Sequence, residues 1–130
     1  MTGASEKALL NDSLIAVTAQ PDTMAWRNNT GMAWQGEPRR VGVGQMIRIE
    51  PGMVVLVGAR PIRFGLQGSP DILGVTRGIA WGIETKTRSG RQSDEQRSFA
   101  RAFGAAGGRY ALVRTVEDAL AVPRRVIDGG

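Results

Sequence analysis

Two carboxylates and a lysine stand at spacings suited to handling a phosphodiester with the help of a metal ion. Asp71 follows Pro70, Glu84 and Lys86 lie in the run Gly82-Ile83-Glu84-Thr85-Lys86, and a turn signal at Arg77-Gly78 separates them. A two-residue loop there would pair Thr76 with Ile79 and bring Asp71 directly opposite Glu84. Opposed residues of an antiparallel pair have Cβ atoms about 4.5–5.5 Å apart, so both carboxylates could reach one hard cation. Strand alternation sends Ile79, Trp81, Ile83 and Thr85 to a core face and Ala80, Gly82, Glu84 and Lys86 to the other. On that second face the small residues Ala80 and Gly82 leave space for a substrate or a second element. Arg77 suits the first position of a primed turn poorly, and a bulged three-residue turn would shift the register.

Composition narrows the chemistry. The 130 residues include no cysteine and no histidine, which removes disulfides, thiolate ligands, the usual zinc ligands and any Ser-His triad. A metal would be bound by oxygen alone, which suits Mg²⁺ or Mn²⁺ and phosphate chemistry. Lys and Arg number 17 against 12 Asp and Glu, for a net charge of +5. Fifteen of the seventeen cations are arginine, the residue matched to bidentate phosphate contact, so a polyanionic partner is favoured. No apolar run approaches the about 20 residues of a membrane span, and the N-terminus lacks the basic and apolar regions of a signal peptide. The expectation is an intracellular, cytoplasmic protein with no membrane partner.

The length fits one domain over residues 1–130. Ser5 is placed to cap a first helix running to about Ala19, with Pro21 beyond its end. Residues 23–27 read as a strand and Asn28-Asn29-Thr30-Gly31 as a turn. Residues 31–44, with four glycines and Pro38-Arg39-Arg40, read as an exposed loop. Met46 to Ile49 and Met53 to Val57 read as a hairpin about Glu50-Pro51-Gly52, with Ile62-Arg63-Phe64 as a further strand, all extending one edge of the sheet. Residues 71–75 and 79–87 form the central pair, followed by a basic loop at 88–92. Ser93-Asp94-Glu95-Gln96 has the form of a capping box opening a helix with Phe99, Ala102 and Phe103 on its apolar face. Gly107-Gly108 ends that helix, residues 109–114 form a strand, and Thr115-Val116-Glu117-Asp118 opens a short last helix, with a loose tail from about residue 123.

This arrangement resembles a known family, the virus-type replication-repair (VRR-NUC) nucleases of the PD-(D/E)XK superfamily, in its small stand-alone form. Gly68-Ser69-Pro70-Asp71 is similar to its G-x-P-D element, Ile83-Glu84-Thr85-Lys86-Thr87 to its E-x-K strand, and Gly90 through Gln96 to the glycine-to-glutamine segment that follows. The likeness covers residues 68–120, and Trp26-Arg27-Asn28-Asn29-Thr30-Gly31 is similar to a segment of small phage-type members. The resemblance implies an α/β fold with a restriction-endonuclease-like core, a mixed β-sheet flanked by helices. It implies a deoxyribonuclease using Mg²⁺ or Mn²⁺, with Asp71 and Glu84 as metal ligands, the Thr85 backbone carbonyl as a third, and Lys86 orienting the attacking water. Gln96 joins the catalytic set, and Glu6 is the first-helix acidic ligand by position. Stand-alone members are similar to homodimeric resolvases of four-way DNA junctions, so a homodimer acting on branched DNA is the implied partner arrangement.

Plainer readings stand beside these. Asp71 can be the turn residue after Pro70, and Glu84 and Lys86 a solvated pair on an exposed strand. Gln96 can simply close the capping box, and Glu6 can be ordinary first-turn chemistry of a helix. Arg27, Arg39, Arg40, Arg88, Arg91, Arg97 and Arg101 are candidate DNA contacts, each of which is otherwise solvated charge. Two functional alternatives remain open: a nucleic-acid-binding module without catalysis, and a restriction-type nuclease acting on linear duplex.

Overall fold

A computed structural model describes residues 3–38 and 42–129. The chain divides into two compact units, one holding Met1–Asn29 with Gly65–Gly130 and the other Thr30–Phe64. The larger unit is mixed α/β. Its elements are α1 (Gly3–Thr18), β1 (Thr23–Arg27), β4 (Ile72–Thr76), β5 (Ile79–Thr85), α2 (Asp94–Ala105), β6 (Arg109–Val113) and α3 (Val116–Ile127), and the smaller unit contributes β2 (Gly31–Pro38) and β3 (Leu56–Phe64).

The sheet of the larger unit runs β1-β4-β5-β6, antiparallel except for the parallel β5-β6 pair, whose crossover is α2. Its hairpin follows the two-residue reading: Thr76 pairs with Ile79 and Ile72 with Ile83, so the register projects Asp71 opposite Glu84. Arg77 and Gly78 both have positive φ, +48° and +82°, as a primed turn requires. Contacts across the fold hold Arg77 in that conformation. Its backbone N–H donates to the Asp22 carbonyl at 3.2 Å, its Nε to Asp22 Oδ2 at 2.9 Å, and a guanidinium nitrogen to the Ile127 carbonyl at 3.0 Å.

One sheet face carries the core. Ile72, Trp81, Ile83 and Val113 meet Leu10 and Val17 of α1 and Ala119 and Val122 of α3. The Trp81 indole lies across Gly74, where an added Cβ would come within 2.3 Å of the ring, and its N–H donates to Thr76 Oγ1 at 2.9 Å. That hydroxyl also bonds Thr23 Oγ1, so the buried polar group is satisfied across three strands. α2 covers part of the opposite face, where its Phe99 meets Tyr110 of β6 with ring centroids 6.2 Å apart, while Val75 and Ala80 on that face are exposed.

Several sequence expectations are corrected. The first helix begins at Gly3, so Ser5 lies inside its first turn instead of capping it. Residues 31–38 form β2 in place of a loop, because Met32, Ala33 and Trp34 pair with Arg63, Ile62 and Pro61 despite the neighbouring glycines. No hairpin joins 46–49 to 53–57; residues 46–55 hold a turn closed by the Met53 N–H on the Glu50 carbonyl, and Leu56 and Val57 begin β3, which pairs with β2. These strands form a two-stranded sheet of their own and extend no edge of the larger one. The tail is ordered: α3 continues through Pro123 to Ile127, because Val122, Pro123 and Val126 are buried and their burial offsets the lost helical N–H. Among the described residues no helix is long and apolar enough to cross a membrane.

Candidate active site

Asp71 closes the approach to β4 and is held from both sides. The Asn28 side-chain amide donates to Ser69 Oγ at 2.7 Å and to the Pro70 carbonyl at 2.9 Å, while the Asn28 backbone N–H donates to the Asp71 carbonyl at 2.8 Å. The Asp71 carboxylate in turn accepts from the Thr85 N–H at 2.9 Å and the Thr85 hydroxyl at 2.8 Å, both at Oδ2. The plain turn-residue reading of Asp71 does not describe these contacts, since its side chain is drawn across to β5.

Glu84 sits on the part of this face that α2 overlies and is only 5% exposed. Of the two occupants expected for the space beside the small residues, a second element takes the part next to Glu84: Pro70 packs on Gly82, where a Cβ would meet Pro70 Cγ at 2.5 Å, and Gln96 reaches in from α2, while Ala80 stays exposed. Gln96 does two jobs at once. Its Oε1 accepts from the Ser93 N–H at 2.8 Å, completing the capping box with the Ser93 hydroxyl, and its Nε2 donates to Glu84 Oε1 at 2.8 Å. The Lys86 amine lies 3.7 Å from the same oxygen, and its side chain is 18% exposed. A solvated surface pair would look different, with both groups open to water.

Neither a protein-family model nor a curated protein matches this chain.

Burial, first, and then the Asp71 charge raise the Glu84 carboxyl to about 7, with Lys86 partly opposing them. Two carboxylates are thus held together where their joint ionisation is disfavoured, an arrangement that a hard divalent cation relieves. The donor set fits such an ion, because every side-chain ligand on offer is oxygen. Among the described residues no group of three acidic side chains converges, so the remaining ligands would be backbone carbonyl, as at Thr85, and water. Glu6 shares a cleft of about 280 Å³ with Lys7, Leu10, Arg27, Asp71 and Thr85, which brings it to the Asp71 side of the site.

The arginines divide. Arg27 lines that cleft, and Arg88 and Arg91 are exposed on the loop beside Lys86. Arg97 is engaged within its own helix start, with the Gln92 carbonyl at 3.0 Å and the Asp94 carboxylate. Arg101 is exposed farther along α2, and Arg39 and Arg40 lie outside the described residues.

Two site residues escaped the sequence reading. Asn28 read as turn chemistry within a segment of family likeness, without a role of its own, and nothing local in the sequence ties it to residues some forty positions away. Tyr110 pairs with Gly82 in the parallel register and so sits on the Glu84 face. Its hydroxyl oxygen is buried without a hydrogen-bond partner among the described residues; Gln92 stands nearby without closing a bond of good geometry. Desolvation raises the phenol's pKa, the charges of Glu84 and Asp71 add to that, and Gln92 opposes it.

Proposed function

We propose that this chain is a Mg²⁺- or Mn²⁺-dependent deoxyribonuclease of the VRR-NUC type, with a PD-(D/E)XK core, that hydrolyses phosphodiester bonds in branched DNA such as four-way junctions. The observation that carries the reading is the treatment of Glu84. A buried carboxylate is held by Gln96 and approached by Lys86, with Asp71 beside it and two exposed arginines, Arg88 and Arg91, on the adjoining loop. Gln96 and Lys86 would support any buried carboxylate, but Asp71 set beside Glu84 only penalises a structural acid, whereas a pair of ligands for a cation that activates phosphate needs it.

When bound by Asp71, Glu84 and the Thr85 carbonyl, the cation supplies Lewis-acid polarisation of the scissile phosphate and favours ionisation of a water molecule. The chain's own groups do the rest. Gln96 fixes the Glu84 carboxylate by its hydrogen bond at 2.8 Å. Asn28 and Thr85 hold Asp71 from its two sides. The Lys86 ammonium orients the attacking water and offsets the negative charge that grows on the phosphate. The water oxygen forms a bond to phosphorus as one ester oxygen leaves, giving a phosphate monoester and a hydroxyl. Arg27, Arg88 and Arg91 supply phosphate contacts that set orientation without reading sequence. Glu6, on the cleft with Asp71, extends the acidic side of the site.

The same reading has the protein acting in the cytoplasm as a homodimer. The Thr30–Phe64 unit supports the dimer, since its two-stranded sheet and adjoining segment leave Met32, Trp34, Met46, Met53 and Val54 more than half exposed, an apolar surface of the kind that protein contacts cover. The test is digestion of linear duplex, flapped and four-way DNA with and without Mg²⁺, beside a measurement of mass in solution. The reading expects metal-dependent cutting strongest on the four-way substrate by a dimer. Preference for linear duplex makes it a restriction-type enzyme, and salt-sensitive binding without cutting makes it a binding module.

A further inference from the structure

Arg114, just past the end of β6, reaches back over the loop that follows β5. One guanidinium nitrogen donates to the Thr87 carbonyl and the other to the Gly90 carbonyl, the latter at 2.9 Å. Those two carbonyls bound a tight turn that also closes on itself, with the Gly90 N–H donating to the Thr87 carbonyl at 3.0 Å. The base of the grip is fixed as well: the Arg114 N–H donates to Asp118 Oδ2 at 3.2 Å, and the Lys86 N–H donates to the Val113 carbonyl at 3.0 Å.

The gripped turn lies against Lys86. A methyl group at Gly90 would stand 3.3 Å from both Cβ and Cδ of Lys86, so the turn backbone rests on the lysine's aliphatic stem. The amine at the end of that stem is the group 3.7 Å from Glu84 Oε1. Arg88 and Arg91 are carried by the same loop and point no bond back into the fold among the described residues. One side chain thus fixes the backbone that seats Lys86 and holds the two nearest exposed arginines.

We propose that Arg114 is a positioning residue: by clamping the Thr87 and Gly90 carbonyls it sets Lys86 beside Glu84 and presents Arg88 and Arg91 to a nucleic-acid phosphate. The catalytic half of this inference rests on the nuclease reading; the clamp itself does not. A guanidinium is suited to the task because its rigid fork serves two acceptors at once, which a lysine ammonium on a flexible stem does not reproduce. Arg114 is exposed, so its truncation leaves the core untouched.

The experiment compares the wild type, Arg114→Lys, Arg114→Ala, and Arg114→Ala supplemented with guanidinium chloride at concentrations below those that unfold the protein. Hydrogen–deuterium exchange is read on residues 86–92 and, as internal control, on β4. Mg²⁺-dependent cleavage of a four-way junction is read on the same four samples. Both variants are expected to exchange faster at 86–92 and unchanged at β4, and to lose about tenfold in kcat/KM, the scale of a lost charge-assisted hydrogen bond. Added guanidinium restores part of that loss, and lysine does not. Unchanged exchange at 86–92 overturns the clamp whatever the activity. Faster exchange with unchanged kcat/KM overturns the positioning role, as does full rescue by lysine. A wild type that never cuts DNA defeats the nuclease reading instead; in that case the exchange arm still decides the clamp, and junction affinity, expected to fall in Arg114→Ala, decides the presentation of Arg88 and Arg91.

Discussion

Replacing Glu84 by glutamine should make the protein more stable at neutral and alkaline pH, and the size of the gain follows from the site. Burial chiefly, and then Asp71, lift the carboxyl from 4.5 to about 7. Between those two pH values the folded protein keeps a proton that the unfolded chain has lost. Stability is therefore full below pH 4.5 and declines as pH rises toward about 7, where the group ionises inside the fold. At about 1.4 kcal/mol per unit, the upshift costs the ionised wild type about 3 kcal/mol. Glu84→Gln keeps the shape of the side chain and an oxygen for the Gln96 amide, and it removes the ionisation. Urea unfolding followed by tryptophan fluorescence, without divalent ions, should give matching stabilities near pH 4.5 that diverge to about 3 kcal/mol near pH 8. Mg²⁺ should restore part of the wild-type deficit, because a cation favours the carboxylate, and should do nothing comparable for the variant. Parallel pH profiles for the two proteins would refute the reasoning.

Asn28→Ala removes both side-chain amide bonds to the Ser69-Pro70 segment and should lower stability by about 1–2 kcal/mol while weakening Mg²⁺ binding, measured by calorimetry, since the segment leading into Asp71 loses its side-chain anchor and keeps only the residue 28 N–H bond to the Asp71 carbonyl. Gly82→Ala forces a methyl into Pro70 and should cost about 1–3 kcal/mol, visible as a drop of several degrees in Tm; an unchanged Tm would mean that Pro70 does not pack there. Ser13→Ala deletes a fully buried hydroxyl that has no hydrogen-bond partner among the described residues, so urea unfolding should show it neutral or more stable by about 1 kcal/mol, against the usual direction for a core substitution.

The parts of the fold that were legible are those governed by short spacings. The Thr76–Ile79 register followed from a two-residue loop, and the Ser93/Gln96 cap from an i,i+3 pattern. The β1 strand followed from its own five residues. What escaped depends on contacts distant in sequence. Glycines in 31–38 masked a strand whose paired residues lie 18 to 33 positions later, and Pro123 read as a stop because nothing local announces the burial that keeps α3 going. Within the site, alternation put Glu84 on the correct face, but it could not show that α2 and Pro70 bury the end of that face around Gly82 and Glu84. The capping glutamine could not be seen to reach Glu84 until the helix stood on the sheet. Asn28 and Arg114 act through backbone groups of other segments, which leave no mark in residue type.

The central claim is that Asp71, Glu84 and Lys86 form one metal-dependent nuclease site, and the most direct measurement is cleavage of a four-way junction by the wild type, Glu84→Ala and Lys86→Ala, each shown to be folded, with and without Mg²⁺ or Mn²⁺. The account predicts strand cutting by the wild type only when the metal is present and loss of at least about a hundredfold in both variants. Undiminished cutting by either folded variant, or equal cutting by the wild type in the presence of a chelator, would contradict it.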